Sequence, residues 1–210
     1  MELTQNPTYN PNPIKYHILT DKFLYCPIPK AACTNFKALI LETTTKPHET
    51  PYPTPEHLTT QELNKIYETR PTILITRNPL TRILSAYINK FIPKPYYDHW
   101  TIYTNPTPFE EFIEYIIQQT PETSDIHWAP IWYLATPHIT YTHIIKIENL
   151  HHHLPELEKI IGKGPLPNEN QINFKRNYAE NQINKYYTKK LKQKIQDHYT
   201  KDYQDYNYQL

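Results

Sequence analysis

Two stretches of sequence decide the fold: CPIPKAACTNFK at residues 26–37 and TRNPLTRILSAYINKF at residues 76–91. Each begins where a short apolar run ends, KFLYC at 22–26 and TILIT at 72–76, and each continues into apolar residues at helical spacing. A third apolar run, HIIKI, lies at 143–147. Strands that alternate with helices are typical of an α/β fold, so we predict an α/β fold with a central parallel sheet.

The helix after TILIT is the best marked in the chain. Asn78 can cap its first turn, and Pro79 suits that turn because an N–H there would have no helical partner. Apolar spacing and helix-start signals predict four further helices. One begins near Thr34, and the others lie at 61–68, 107–117 and 181–199.

The composition narrows the class of protein. The 22 lysines and arginines nearly balance the 21 aspartates and glutamates, which argues against a protein that binds nucleic acid or anionic membranes. The only glycines are Gly162 and Gly164, so the glycine patterns of P-loop kinases and of dinucleotide-binding Rossmann enzymes cannot occur. No segment has the roughly 18–20 apolar residues of a membrane span, and we expect a soluble, cytoplasmic protein.

The length of 210 residues fits one domain. We predict an N-terminal arm at residues 1–21, which begins with a Pro- and Asn-rich segment, and a single domain at residues 22–210. Cys26 and Cys33 are the only cysteines. Two thiols seven residues apart across a strand, a loop and a helix do not indicate a disulfide framework or a zinc site.

The first stretch predicts an anion-binding turn at the carboxyl end of a strand, the edge where α/β sheets collect ligands. The N–H groups and the positive dipole at a helix start attract anions there. Lys30 adds a mobile positive charge, and Thr34 and Asn35 add hydrogen bonds. The small side chains of Ala31 and Ala32 let the backbone approach an oxyanion. An ordinary strand–turn–helix with a solvated lysine is the alternative.

The second stretch repeats this arrangement one strand over. Arg77 leaves the end of the strand, and Ser85 follows two turns into the helix. A guanidinium and a hydroxyl suit a terminal phosphate, so the two stretches together predict a site for a doubly phosphorylated nucleotide. The alternative is that Arg77 and Arg82 are structural ion-pair partners and not phosphate ligands. This alternative stays open for both residues.

Both stretches resemble the donor-binding signatures of the carbohydrate sulfotransferases, the branch that includes the chondroitin and dermatan enzymes. The 5′-phosphosulfate loop of that family is matched at Pro29, Lys30, Cys33, Thr34, Asn35 and Lys37, with Phe36 in place of the usual Trp. Its 3′-phosphate element is matched at Arg77, Pro79, Arg82, Ser85, Ala86, Tyr87, Lys90 and Phe91. The later blocks HWAP (127–130), KIENL (146–150) and YTKDYQDYNY (199–208) follow in the family's order, so the resemblance covers about residues 22–208.

The resemblance implies a P-loop-NTPase-like three-layer sandwich, the sulfotransferase fold. It also implies transfer of a sulfuryl group from 3′-phosphoadenosine 5′-phosphosulfate (PAPS) to a carbohydrate hydroxyl, with no metal required. Lys30 would be catalytic and would stabilise the bridging oxygen of the leaving nucleotide. Thr34 and Asn35 would hold the 5′-phosphate, and Arg77 and Ser85 the 3′-phosphate. The full set of predicted donor-binding residues is Lys30, Ala31, Ala32, Cys33, Thr34, Asn35, Arg77 and Ser85.

The chain departs from the family pattern in two respects. Golgi members often carry a cysteine pair shortly after the HW block, and here Ala135 stands at the first of those positions. The membrane anchor of those enzymes is also missing from the sequence. Both departures suit a reducing compartment or a simplified homologue, and they argue against a Golgi assignment.

A sugar hydroxyl needs a general base, and we predict His127 for that role because it lies in the HWAP block. Its neighbour Trp128 is an aromatic residue suited to a sugar face. His99, His57 and His48 are alternative bases, and a structural hydrogen-bonding role is the alternative for His127 itself.

Two other functions remain open at this point. A nucleotide-dependent kinase with a degenerate phosphate loop is disfavoured by the missing glycines and by the second phosphate clamp. A catalytically inactive protein that binds a nucleotide or a glycan is disfavoured by the intact Lys30, Arg77 and Ser85.

Overall fold

Four short strands form one sheet at the centre of the described chain. The computed structural model describes residues 17–41, 54–92, 107–136, 139–164, 166 and 178–209. The strands, in their order across the sheet, are β1 (Ile18–Leu19), β2 (Leu24–Cys26), β3 (Thr72–Thr76) and β4 (His143–Lys146).

The sheet is mixed, which corrects the prediction of a parallel sheet. Strands β2, β3 and β4 are parallel neighbours, with Cys26 opposite Leu74 and Thr76 opposite Lys146. Strand β1 runs antiparallel to β2, because a tight turn joins the two strands and Thr20 N donates to Phe23 O at 3.0 Å. The α/β class and the three predicted strands are confirmed.

The predicted arm at residues 1–21 falls mostly outside the described residues. Its last part contains β1, and Ile18 there is fully buried. The sheet therefore begins before the expected boundary at residue 22. The division into an arm and one domain at 22–210 stays a prediction.

Helices surround the sheet in the described ranges. The α-helices are α1 (Cys33–Ile40), α2 (Thr60–Thr69), α3 (Pro79–Lys90), α4 (Phe109–Ile117), α5 (Ile131–Leu134), α6 (Leu150–Ile161), α7 (Ile183–Tyr186), α8 (Lys189–His198) and α9 (Thr200–Asp205). Short 3₁₀ helices lie at Pro55–His57, Ile147–Asn149 and Ala179–Gln182. Each of these helices is too short or too polar to cross a bilayer.

The start of α3 follows its prediction closely. Asn78 caps the helix, since its side-chain oxygen accepts a hydrogen bond from Leu80 N at 2.9 Å, and Pro79 occupies the first turn. The predicted helices at α1, α2 and α4 are confirmed as well.

The single long helix predicted at 181–199 was wrong. The chain breaks after α7, where Tyr187 is extended and its hydroxyl donates to Leu80 O at 2.9 Å. Thr188 then starts α8 by accepting from Leu191 N. The inward positions at Tyr187, Leu191 and Ile195 are nevertheless buried as the spacing predicted.

Asp202 anchors the C-terminal helix α9 to α5. Its two carboxylate oxygens accept from the backbone N–H groups of Ile131 and Trp132, each at 2.8 Å. The side chain is fully buried, and this burial raises its pKa to about 6, although the two N–H donors and the charge of Arg82 act in the opposite direction. Asp202 thus satisfies the start of a four-residue helix that has no cap of its own.

We expect Asp202→Ala to lower the free energy of unfolding by about 1–3 kcal/mol for each N–H that loses its acceptor. Urea unfolding at pH 7 measures this loss. The matched control is Asp205→Ala, because Asp205 forms an exposed ion pair with Lys201 at 2.8 Å on the same helix. That pair should contribute only about 0.3–0.5 kcal/mol. Equal losses in the two variants would contradict the anchoring role of Asp202.

Candidate functional site

The turn between β2 and α1 contains two residues in the left-handed region. Lys30 and Ala32 have positive φ angles of 67° and 57°, whereas Ala31 between them does not. The N–H of Ala31 donates to Ile28 O at 3.1 Å and closes the turn. Ala32 is the N-cap of the eight-residue α1, and no side chain of the described residues caps this end. An anion bound there would meet the positive end of the helix dipole.

Arg77 joins the two signature stretches directly. Its guanidinium Nη1 donates to the backbone carbonyl of Lys30 at 2.9 Å, and its Nε donates to Thr81 Oγ1 at 3.2 Å. The other end of the fork pairs with the Glu180 carboxylate at 2.8 Å. Arg77 is 12% exposed and Glu180 53%, so the ion pair lies at the mouth of the site. The structural ion-pair alternative is therefore realised for Arg77, with a partner that the sequence had not indicated.

Arg82 has a structural role of a different kind. It is fully buried, and its guanidinium donates to three backbone carbonyls, those of Pro29 at 3.1 Å, Ala129 at 2.8 Å and Ile126 at 3.2 Å. Burial lowers its pKa, and the nearby Asp202 carboxylate opposes that shift. The side chain ties the first turn to the HWAP block instead of facing a ligand.

Helix α3 brings a polar face to the same turn. Arg82, Ser85 and Asn89 share that face by helical spacing, and Ser85 is almost fully buried. Asn89 Oδ1 accepts a hydrogen bond from Lys30 Nζ. The structure therefore brings Lys30, Arg77 and Ser85 to the carboxyl edge of the sheet, as predicted for the two loops.

His127 lies close to this group and is held by Asp125. The ring nitrogen Nδ1 of His127 is 2.6 Å from Asp125 Oδ1, and the two side chains are 21% and 27% exposed. Burial lowers the pKa of His127 to about 4; Asp125 raises it in part, while the charges of Lys90 and Lys30 lower it further. Arg82 connects the turn that carries Lys30 to the segment that carries His127, because it donates to Pro29 O on one side and to Ile126 O and Ala129 O on the other.

The predicted sugar-facing role of Trp128 was wrong. Trp128 is 1% exposed, and its ring packs edge-on against Phe112 at 5.6 Å between ring centroids. Its Nε1–H donates to Gln119 Oε1 at 2.7 Å. The indole therefore fills the core behind His127 and offers no face to a ligand.

The other candidate bases receive no support from the described residues. His57 is exposed at the end of a 3₁₀ helix, and His48 and His99 lie outside the described residues. Cys26 and Cys33 are free thiols, and burial raises the pKa of Cys26 to about 12. Within the described part of the chain, no group of three or more His, Cys, Asp or Glu side chains is arranged to hold a metal ion.

Three residues of the site were missed from the sequence. Asn89 could have been found, because it lies one helical turn after Ser85. Asp125 could also have been found, since it stands two residues before His127 in DIHW. No local signal indicates Glu180, which lies 103 residues after Arg77 along the chain.

Comparison with known proteins identifies the family of the chain. The model of the "Sulfotransferase family" matches residues 19–209, and the chain belongs to that family. "Carbohydrate sulfotransferase 14" of Homo sapiens is 29% identical over 149 residues, which are 58% of this chain and 40% of that protein.

Two further relatives extend the comparison. "Carbohydrate sulfotransferase 11" of Rattus norvegicus is 29% identical over 180 residues, covering 67% of this chain and 51% of that protein. "Carbohydrate sulfotransferase 9" of Homo sapiens is 27% identical over 229 residues, covering 89% of this chain and 51% of that protein. The chain thus spans about half the length, or less, of these relatives. The resemblance seen in the two stretches is confirmed.

The lowered pKa of His127 has a measurable effect on stability. The unfolded chain binds a proton at a histidine near the reference pKa of about 6.5, whereas folded His127 binds it only near pH 4. The unfolded state therefore holds more protons between these values, and the contribution of His127 to stability is lost as the pH falls from 6.5 towards 4. We expect His127→Asn to lose less stability than wild type over this range in urea unfolding. Parallel pH profiles of the two proteins would contradict the shifted pKa.

Proposed function

We propose that the protein is a carbohydrate sulfotransferase that takes a sulfuryl group from PAPS. The observation that carries the proposal is the hydrogen bond from Arg77 to the Lys30 carbonyl, which joins the two turns that we propose as anion sites at one edge of the sheet. A nucleotide with phosphates at both its 5′ and 3′ positions would occupy the two sites together. Membership of the sulfotransferase family supports this choice of donor.

The same geometry supports a P-loop-like three-layer arrangement. The parallel neighbours β2 and β3 each lead through a short turn into a helix, α1 and α3. Both helix starts therefore lie at the carboxyl edge of the sheet, where α/β folds bind nucleotides.

The donor would be held mainly by backbone groups and by one arginine. The 5′-phosphosulfate would lie against the turn at residues 30–35 and the start of α1. The 3′-phosphate would be held by Arg77 and Ser85, and it would take the position on Arg77 that the Glu180 carboxylate occupies. A phosphate carries more negative charge than a carboxylate, and it can accept both arms of the guanidinium fork.

The reaction would be an in-line transfer between two oxygens. The acceptor hydroxyl gives its proton to His127 and forms a bond to sulfur. The bond from sulfur to the bridging oxygen breaks, and its electron pair leaves on adenosine 3′,5′-bisphosphate. Lys30 stabilises the negative charge that grows on that oxygen. The acceptor would be a carbohydrate, which the printed names of the relatives support.

The donor site is tested by ligand-induced stabilisation. We expect adenosine 3′,5′-bisphosphate at one hundred times its Kd to stabilise the fold by about 2.7 kcal/mol. Adenosine 5′-monophosphate at the same concentration should stabilise it far less, because it lacks the 3′-phosphate. Arg77→Ala should remove the difference, since a hydrogen bond to a charged group contributes roughly 1.5–3 kcal/mol.

The matched control for Arg77→Ala is Arg70→Ala. Arg70 lies just before β3 and Arg77 just after it, so the two arginines are at opposite ends of this strand. The Arg70 guanidinium donates to Thr20 O at 2.5 Å. Arg70→Ala should leave the preference for the bisphosphate intact. Equal stabilisation of wild type by both nucleotides would refute the 3′-phosphate site, and preferential stabilisation by ATP would favour the kinase.

The role of Lys30 is tested by turnover. Lys30→Ala should lower kcat by about 100- to 1,000-fold, the usual effect of removing one group that stabilises transition-state charge. Binding of PAPS in the absence of acceptor should weaken much less, because the bridging oxygen of the intact donor does not yet carry the charge that grows in the transition state. Alanine keeps a Cβ at this left-handed position, so the backbone strain is unchanged. Lys65→Ala, on the exposed face of α2, is the control. A normal kcat in Lys30→Ala would contradict the assignment.

A further inference from the structure

One carboxylate oxygen of Asp125 makes two hydrogen bonds to His127. Oδ1 accepts from the backbone N–H of His127 at 2.8 Å, and it lies 2.6 Å from the ring nitrogen Nδ1. The Asp125 carboxylate therefore holds both the imidazole ring of His127, at Nδ1, and the main chain of His127, at its N–H. Neither contact involves a residue that binds the proposed donor.

The hydrogen bond decides which ring nitrogen carries the proton. Burial raises the pKa of Asp125, but the hydrogen bonds and the charge of His127 outweigh that effect and leave the pKa below its usual range. An ionised carboxylate can only accept, so Nδ1 of the neutral ring must donate. The lone pair is then on Nε2, which is the nitrogen that can take a proton from an acceptor hydroxyl.

The charged groups around the ring come from three elements. Lys30 lies on the turn before α1, Lys90 on the last turn of α3, and Asp125 on the segment between α4 and α5. The two lysines disfavour a proton on the ring, and Asp125 favours it. Asp125 is thus the only one of these three groups whose charge stabilises the imidazolium that proton transfer would create.

We propose that Asp125 is the positioning residue of His127: it fixes the Nδ1–H tautomer and stabilises the ring once Nε2 has taken the acceptor's proton. The proposal rests on the proposed function for its catalytic part. The proton passes from the acceptor hydroxyl to Nε2 as the new oxygen–sulfur bond forms, and the electron pair of the broken bond leaves on the nucleotide. No other reactant is needed.

A purely structural role for Asp125 is the competing explanation. Its backbone carbonyl accepts from the N–H groups of Trp128 at 3.0 Å and Ala129 at 2.7 Å, so the residue also closes the turn. These two bonds involve the main chain and survive a change of side chain. The two roles can therefore be separated by substitutions of the carboxylate.

The test combines nitrogen NMR with turnover in the full chain. ¹⁵N-labelled histidine reports the tautomer of His127, whose signals are assigned by their loss in His127→Asn. In wild type we expect Nδ1–H, and in Asp125→Ala a mixture of both tautomers. In Asp125→Asn the amide oxygen still accepts, so the tautomer should persist while the titration of His127 moves to lower pH, because a negative charge is lost. The matched control is Glu122→Gln, because Glu122 is an exposed carboxylate in the same segment. This substitution should change neither the tautomer nor the titration of His127.

Turnover then separates this proposal from the proposed function. With PAPS and chondroitin or dermatan as acceptors, Asp125→Ala should lower kcat by about 100-fold, the low end of what a positioned base contributes. Bisphosphate binding, measured by thermal shift, should not change. An Nδ1–H tautomer that persists in Asp125→Ala would overturn the proposal. If Asp125→Ala does not fold, an unchanged titration in Asp125→Asn would overturn it. A wild type that shows the Asp125-dependent tautomer, but neither turns over these acceptors nor is stabilised by the bisphosphate, would contradict the proposed function and retain the positioning.

Discussion

The hydrogen bonds of Arg82 are the constraint on which the rest of the site depends. One buried guanidinium holds the carbonyl of Pro29, in the first turn, and the carbonyls of Ile126 and Ala129, on either side of His127. Lys30 and His127 are therefore positioned by the same planar group. A lysine could not replace it, because a single ammonium lacks the fixed fork that reaches three acceptors in one plane. The cost of burying this charge is reduced by Asp202, whose carboxylate lies nearby.

The later sequence blocks act as supports for the two loops. The hydroxyl of Tyr199 donates to Trp128 O at 2.6 Å, beside His127. Glu148, in the KIENL block, accepts from Asn78 N at 2.8 Å and so fixes the start of α3. The hydroxyl oxygen of Tyr208 lies 3.0 Å from Thr76 Oγ1, at the end of β3. These contacts hold the backbone of the two loops, and none of the three residues needs to touch a ligand.

Local patterns were enough to predict the main elements but not the contacts between them. The continuous apolar run of β3 and the Asn78–Pro79 start of α3 are signals within a few residues, and both were found in the structure. Strand β1 has two residues, too few for a periodic pattern, and its pairing depends on β2. Helical spacing alone could not predict the break at Tyr187, because it ignores the cap at Thr188 and the contact of Tyr187 with Leu80, 107 residues away. The contact of Arg77 with Glu180 could not be predicted either, because the two residues are 103 positions apart in the sequence.

The turn between β2 and α1 has left-handed residues but no glycine, so contacts from its surroundings must stabilise it. Lys30 and Ala32 both have left-handed backbone angles, each of which costs about 1–2 kcal/mol for a residue with a Cβ. Two arginines hold the carbonyls of this turn, Arg82 at Pro29 and Arg77 at Lys30. Hydrogen bonds from charged donors are strong enough to offset strain of this size. Arg77 thus has two connected roles in our proposal, because the residue that would clamp the 3′-phosphate also fixes the backbone of the lysine at the other end of the donor. The position of the proposed catalytic lysine is then coupled to the group that distinguishes this donor from an ordinary 5′-nucleotide.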